Sequence, residues 1–321
     1  MDHKINKEQA LYAPRRVLLI EPTHFASNKE ASVDNTYMAT EQAPADIQVI
    51  ALAEHKGFQD AINSNGGEAV VYKQFREEAA DSIFACDWLL TLRGPAFPEG
   101  LLVIFPMRWG SRRIERNPTL ISDLRKTYAD FIDLTAWEAQ DKALESVGVI
   151  SFDYHNRVLY MNPSERASPE VLQDFVAQLN QKKKDDKEFR ACVLDAWDPI
   201  DKAVVFHTSM YLNFTDSTVF YGPEFITSEE KRKELTESFE KSGYDIIYLT
   251  IDECRSFCSN VLEFKNEDGK LFLVVSTLAK NKYSKENLEK LEQKYTVLGV
   301  PYDQVMKFGG GSIRCSSNPL F

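Results

Sequence analysis

Gly309-Gly310-Gly311-Ser312-Ile313-Arg314-Cys315 decides how the rest of the chain is read. Three consecutive glycines let a backbone approach a ligand closely and reach conformations closed to other residues. A cysteine just past such a loop can meet backbone N–H groups that stabilise its thiolate. On its own the stretch reads equally as a flexible C-terminal tail with an incidental thiol. The surrounding chain has to separate the two.

The sequence has 321 residues, 43% of them hydrophobic, enough for a large buried core. Its net charge of −11 leaves no general attraction for phosphate backbones or anionic membranes. We therefore expect neither nucleic acid nor membrane as a partner, although such a charge is compatible with a local basic pocket. The five cysteines (Cys86, Cys192, Cys254, Cys258 and Cys315) are odd in number in a long chain, which suits reduced thiols better than a disulfide framework. No apolar run approaches the roughly 20 residues of a spanning helix. MDHKINKEQALYAPRR has no apolar core of the kind a signal peptide needs, so a soluble, cytoplasmic protein is expected. Cys254 and Cys258 form a C-x3-C pair without a second pair, so they read as buried thiols and no metal is expected.

Apolar periodicity predicts strands at 17–20, 69–72, 88–92, 101–105, 149–152 and 158–160. Further strands are expected at 203–206, 217–221, 246–249, 261–264, 271–275 and 295–298. Helices are expected at 47–63, 111–128, 169–182, 228–242 and 284–294. Strand pairs divided by single helices recur about every 60 residues, so the chain reads as mixed α/β built from similar small modules. Lys182-Lys183-Lys184-Asp185-Asp186-Lys187 reads as a solvated connection rather than a domain boundary.

Two further residues can carry chemistry. His207, in Val204-Val205-Phe206-His207-Thr208-Ser209, stands at the exit of an expected strand and can serve as acid and base near neutral pH. Glu145, in Ala143-Leu144-Glu145-Ser146-Val147-Gly148, reads in isolation as a surface carboxylate.

In chain order, Glu145, His207 and Cys315 resemble the set found in the guanidino-group-modifying enzymes, the penteins. These include arginine deiminases, dimethylarginine dimethylaminohydrolases, glycine amidinotransferases and bacterial citrulline hydrolases. GGGSIRC is similar to the family's GxGS-R-C loop, FHTSMYL to its His-Thr-Asn or His-x-Asp segment, and LESVGV to its EGG or EGTG segment. DSIFACD (81–87) resembles the DSVF-x-E-D segment of dimethylargininases. Ser111-Arg112-Arg113 resembles a family SRR, and Ser164-Glu165-Arg166 an S-x-R-T. VLLIEPTHFASN and CSNVLEF look like the citrulline-hydrolase branch. The resemblance runs from about residue 16 to 321, after an N-terminal tail of residues 1–15.

The resemblance implies a single domain with the pentein fold, five α/β modules of ββαβ type arranged like propeller blades around a central channel. It implies thiol-based hydrolysis of the amidino or ureido carbon of arginine, methylarginine or citrulline, with no cofactor. Cys315 would attack, His207 would serve the departing amine and the incoming water, and Glu145 would orient the imidazole. Asp87 would hold the guanidinium, Asp81 the α-ammonium, and Arg112 and Arg166 the α-carboxylate. Ser209 stands near the amidino grip, where the family often has Asp or Asn, and Cys86 replaces the glutamate of dimethylargininases. Asp87 favours a cationic guanidinium, whereas the citrulline-hydrolase branch carries Asn there. An amidinotransferase using the same covalent intermediate, and a non-catalytic binding pentein, are the alternatives. The oligomeric state is not legible.

Overall fold

The computed structural model describes Ile5 and residues 10–321. Their strands form five separate three-stranded sheets. In the first, β1 (Arg16–Glu21) leads through α1 (Ile47–Asn63) to β2 (Glu68–Lys73), which pairs with it in parallel. Ile47, Ala51, Phe58 and Ile62 form the buried stripe that seats α1 on the core, each large side chain worth about 1.5–3 kcal/mol of burial. The second sheet is the hairpin β3 (Leu89–Gly94) and β4 (Phe97–Ile104), followed by α2 (Gly110–Arg113), α3 (Pro118–Thr127) and β5 (Asp130–Asp133). The third is α4 (Ser146–Val149), β6 (Ile150–Asp153), β7 (Val158–Met161), α5 (Pro169–Lys182) and β8 (Arg190–Val193).

The fourth sheet is β9 (Leu212–Phe214), β10 (Thr218–Tyr221), α6 (Glu229–Ser242) and β11 (Asp245–Tyr248). The fifth runs α7 (Ile251–Arg255), β12 (Leu262–Lys265), β13 (Leu271–Ser276), α8 (Thr277–Lys282), α9 (Lys285–Glu292) and β14 (Thr296–Val300). The chain then passes through α10 (Asp303–Gly309) to β15 (Asn318–Leu320), which pairs antiparallel with β1.

Every sheet thus has one plan. A central strand pairs antiparallel with the strand before it and parallel with the strand after its helix. In the first sheet the missing leading strand is supplied by β15 from the far end of the chain. This is the ββαβ repeat that the family resemblance implies, in a mixed α/β chain.

Side chains stitch the modules in a ring. Asn318 Nδ2 donates to the Leu89 carbonyl and Thr91 Oγ1 to that of Pro319, joining the first module to the second. Ser146 Oγ also donates to Leu89 O, joining the second to the third. Ser151 Oγ donates to Leu212 O, and Asn213 Nδ2 to Ser259 O. Asn260 closes the circuit by accepting the Arg314 N–H. These groups are buried, where an unpaired polar atom costs about 1–3 kcal/mol, so the bonds fix the register of one module on the next.

The structure differs from the expected elements in identifiable places. Residues 203–206 are not a strand; Val204 makes a single isolated bridge to Trp197. The Val205 and Ala196 carbonyls are taken by the side-chain amide of Asn162 instead of a strand ladder. His207 therefore leaves an irregular loop, not a strand. The helix expected over 111–128 is two pieces, one ending at Arg113 and one starting at Pro118, whose missing N–H suits a first turn; Asn117 caps the second by accepting from the Thr119 and Leu120 N–H groups. Strands β5, β8, β9 and β15, of three or four residues each, are not among the expected strands.

Of the expected tail, residues 1–4 and 6–9 lie outside the described residues. Residues 10–15 cross the hairpin-turn end of the ring, where the Tyr12 N–H donates to Asp216 Oδ1 and Tyr12 stacks on Tyr154. The lysine-rich run 182–187 links α5 to β8 within one module, anchored by the Arg157–Asp185 ion pair. Among the described residues no helix is long and apolar enough to cross a membrane.

Candidate active site

The leading strand of each module is preceded by a short segment at the same end of the ring. Those segments carry Cys86 and Asp87 before β3, Glu145 before α4 and β6, His207 before β9, Asn260 before β12, and Cys315 before β15. The repeat therefore gathers residues scattered over 230 positions of sequence into one place. The cavity there is lined by Asp81, Asp87, Arg112, Arg166, His207 and Cys315, together with Phe84, Asn35, Ala31 and the three glycines. It has room for about 10 Å³, close to a single water. A larger groove of about 540 Å³ lies between β11 and α9 but borders none of these groups, so chemistry rather than volume locates the site.

The Cys315 loop depends on its glycines. Gly310 caps α10 at φ +70°, and a Cβ there would meet Asn35 Nδ2 at 2.4 Å. Gly309 and Gly311 pass so close to the ring of Phe84 that a Cβ on either would lie 2.6–2.7 Å from it. Cys315 is buried and receives Asn260 Nδ2 at 3.1 Å. The neighbouring Cys86 has the largest effect and lowers the Cys315 thiol, burial and the Asp87 charge oppose it, and with His207 and the Ser312 N–H the net result is a thiol drawn down to about 7. A substantial thiolate fraction at neutral pH follows.

Glu145 is not a surface carboxylate; it is wholly buried. Its Oε1 accepts the Arg108 N–H at 3.1 Å, and its Oε2 lies 3.4 Å from Arg166, 3.8 Å from Arg112 and 3.8 Å from His207 Nε2. Burial raises its pKa, but Arg166, His207 and Arg112 together pull it down to about 2, so it stays ionised. The His207 contact is an ion-pair distance when the imidazole is protonated and too long for a direct hydrogen bond.

Asp87 Oδ2 accepts Arg112 Nη1 at 2.8 Å, and its Oδ1 accepts the Cys86 thiol at 3.1 Å. Asp81 accepts Asn28 Nδ2 and lies 3.7 Å from Arg112; its second oxygen has no partner, and burial raises its pKa. Arg112 is held by Asp87 and by both oxygens of Glu115, whose carboxyl burial pushes up to about 8. Arg166 is held by Asp34, Glu145 and the Ala31 carbonyl. Both arginines line the cavity while their forks face protein acids. Ser209 is set apart from the cavity lining, with a buried and unpartnered hydroxyl.

Asp87, Glu145 and His207 offer ligand atoms within 4.8 Å of one another. Arg112 and Arg166 already supply positive charge within 4 Å of both carboxylates, which opposes a metal cation. Cys254 and Cys258 are buried near α8, the latter donating to Ala279 O.

Sequence reasoning gave no role to Asn260, Gly148 or the stretch 28–38. A Cβ on Gly148 would lie 2.4 Å from Asp87 Oδ1 and 3.1 Å from the His207 ring, so this glycine makes room for both. Ser146, just before it, sits at φ +41°, where glycine is at ease and serine is strained. Asn28, Ala31, Asp34 and Asn35 roof the cavity through bonds to Asp81, Arg166 and Gly310. No periodicity marks such a roof.

The family model of eukaryotic N,N dimethylarginine dimethylhydrolase matches residues 21–321. The chain belongs to that family. It thereby falls in the guanidino-modifying pentein superfamily. None of the curated proteins compared matches it in sequence. ArgZ, an arginine dihydrolase from the ornithine–ammonia cycle in cyanobacteria, is 15% identical with a TM-score of 0.69; the match covers 94% of this chain and 40% of ArgZ. The N-terminal domain of ArgZ bound to substrate is 16% identical with a TM-score of 0.69, covering 95% of this chain and 99% of that domain. A dimethylarginine dimethylaminohydrolase adduct with 4-chloro-2-hydroxymethylpyridine is 16% identical with a TM-score of 0.64, covering 96% of this chain and all of the other. At these identities the likenesses establish the fold. The chain spans less than half of full-length ArgZ but nearly all of its N-terminal domain.

Proposed function

We propose that this protein hydrolyses the guanidino group of an arginine-like amino acid, with a methylated arginine or arginine as substrate and citrulline as product. The carrying observation is the meeting of an acidified thiol, an imidazole and two aspartates in one buried cavity, with the ionised Glu145 behind the imidazole. Membership of the dimethylarginine dimethylhydrolase family supports the same reaction class.

The Cys315 thiolate attacks the guanidino carbon. His207, protonated, gives its proton to the departing amine, and the cysteine is left carrying a thiouronium group. His207 then takes a proton from water as that water attacks the same carbon, and the thiolate leaves. Glu145, 3.8 Å from His207 Nε2, holds the imidazole in place. Asp87 grips the guanidinium and Asp81, through its unpartnered oxygen, the α-ammonium. Arg112 and Arg166 hold the acids in place and face the substrate carboxylate with their remaining N–H groups.

Charge favours a cationic substrate. Asp34, Asp81, Asp87 and Glu145 lie against Arg112 and Arg166, with His207 beside Glu145, so carboxylates outnumber the arginines around the cavity. A guanidinium satisfies that excess and a neutral ureido group does not. Because the cavity holds little more than one water, the roof at 28–38 must withdraw to admit an amino acid. The protein should be incubated separately with arginine, methylated arginines and citrulline, with assays for ammonia, methylamines, citrulline and ornithine. Methylamine or ammonia release with citrulline supports the proposal; release of ornithine from citrulline, or no product from any of them, overturns it.

A further inference from the structure

Cys86 has no role in the hydrolysis just described, yet it is joined to Cys315 twice. Its N–H donates to the Cys315 carbonyl at 3.4 Å, and each thiol acts on the other, raising the pKa of Cys86 and lowering that of Cys315. This main-chain bond joins a short helical turn to a loop and keeps the two Cα atoms close, near the roughly 4.4–6.8 Å that a disulfide spans. Both residues are buried, but only Cys315 borders the cavity. A small oxidant entering the cavity therefore meets Cys315 first, with Cys86 behind it. The Asp87 carboxylate already accepts the Cys86 S–H at 3.1 Å and can take up its proton. The other cysteines lie elsewhere: Cys192 on β8, and Cys254 and Cys258 beside α8.

We propose that Cys86 and Cys315 form a peroxide-sensitive thiol pair, in which Cys86 resolves the oxidised form of Cys315 as a reversible disulfide. The Cys315 thiolate attacks one peroxide oxygen; the O–O bond breaks, the sulfur is oxidised to a sulfenic acid and the second oxygen leaves as hydroxide. The Cys86 sulfur then attacks the Cys315 sulfur. The S–O bond breaks, hydroxide leaves with the proton released by Cys86 as water, and the disulfide forms. A dithiol reductant returns both thiols by exchange. The consequence is protection: a sulfenic acid with no nearby thiol proceeds under excess peroxide to the sulfinic and sulfonic acids, which dithiols do not restore.

The inference rests on the reading of Cys315 as an ionised nucleophile, but its test reads masses rather than turnover. The full chain is treated with a tenfold excess of hydrogen peroxide, remaining thiols are blocked with iodoacetamide, and peptides are mapped without reduction. The expected product is a linked pair of peptides containing Cys86 and Cys315, lost on treatment with dithiothreitol. Iodoacetamide labelling of Cys315 should fall at least tenfold after peroxide and return after dithiothreitol. In C86S and C86A the oxidised Cys315 should instead accumulate as sulfinic or sulfonic acid and not return. An oxidised Cys315 beside a still-alkylatable Cys86 in the unsubstituted protein overturns the proposal. So does a cross-link to Cys192, Cys254 or Cys258, or a Cys315 that peroxide leaves unchanged. A protein that forms the disulfide but releases no amine from any arginine would fail as a hydrolase and still meet this test.

Discussion

The side-chain amide of Asn260 reaches Cys315 from the neighbouring module, with Nδ2 3.1 Å from Sγ and Oδ1 accepting the Arg314 N–H. One side chain thus donates to the sulfur and anchors the loop that carries it. Donors to a thiolate lower its pKa. Asn260→Ala should move the midpoint of Cys315 alkylation upward from about 7 and slow amine release about tenfold. A pH profile of iodoacetamide labelling checks the first effect; an unmoved midpoint would show that the contact contributes nothing.

Cys315→Ser should remove turnover by a factor of about 10³ or more, because a serine hydroxyl is not ionised near neutral pH. The fold should remain, since the exchange is nearly isosteric in a buried site. Circular dichroism and a methylamine assay read the two halves separately. Undiminished amine release by the variant would sink the mechanism.

Gly148→Ala tests the packing behind Asp87. The new methyl would stand 2.4 Å from Asp87 Oδ1, so the carboxylate or α4 must shift. We expect a stability loss of about 1–3 kcal/mol, as for overpacked cores, and a raised KM for a cationic substrate. Thermal unfolding and steady-state kinetics check it. A variant with unchanged KM would mean that Asp87 does not touch the substrate.

Glu263 gives a pH signature remote from the site. Buried between the Tyr295 hydroxyl and the Asp216 N–H, its carboxyl is pushed up to about 7 by burial, against an ordinary 4.5. Its folded pKa is thus raised above the unfolded one. The stability tied to this group is fully present below pH 4.5 and is lost as pH rises through about 7, by roughly 3 kcal/mol at most. Glu263→Gln cannot ionise and keeps an acceptor for Asp216. It should flatten the stability profile between pH 5 and 8 and be at least as stable as the parent at pH 8. Urea unfolding at pH 5 and 8 measures the difference, and an equally steep profile would show that Glu263 does not titrate in this window.

Much of the site was legible because its chemistry uses rare residue types in distinctive surroundings. A cysteine after three glycines, a histidine after an apolar run and a DSIFACD segment stand out in any chain. Asn260 and Gly148 did not stand out, since neither an asparagine beside a strand nor a glycine beside a helix is unusual. Their importance lies in distances of 2.4–3.1 Å to residues far away in sequence. The misread strand at 203–206 has a similar cause. Its apolar pattern was real, but Asn162 took the carbonyls that a ladder would have used.

The sequence alone determined the modules, through apolar strands and amphipathic helices recurring about every 60 residues, and the chain order of Glu145, His207 and Cys315. Those signals are local, set by side-chain type and spacing. Only the tertiary structure decided how the modules close and what they bring together. β15 returns to complete the first sheet, and buried side-chain bonds lock each module to the next. The leading segments then bring Asp87, His207 and Cys315 to one buried cavity, with Glu145 and Asn260 against them. There the nearby arginines and His207 keep Glu145 ionised against the cost of its burial, and Cys86 helps draw the Cys315 thiol down to about 7.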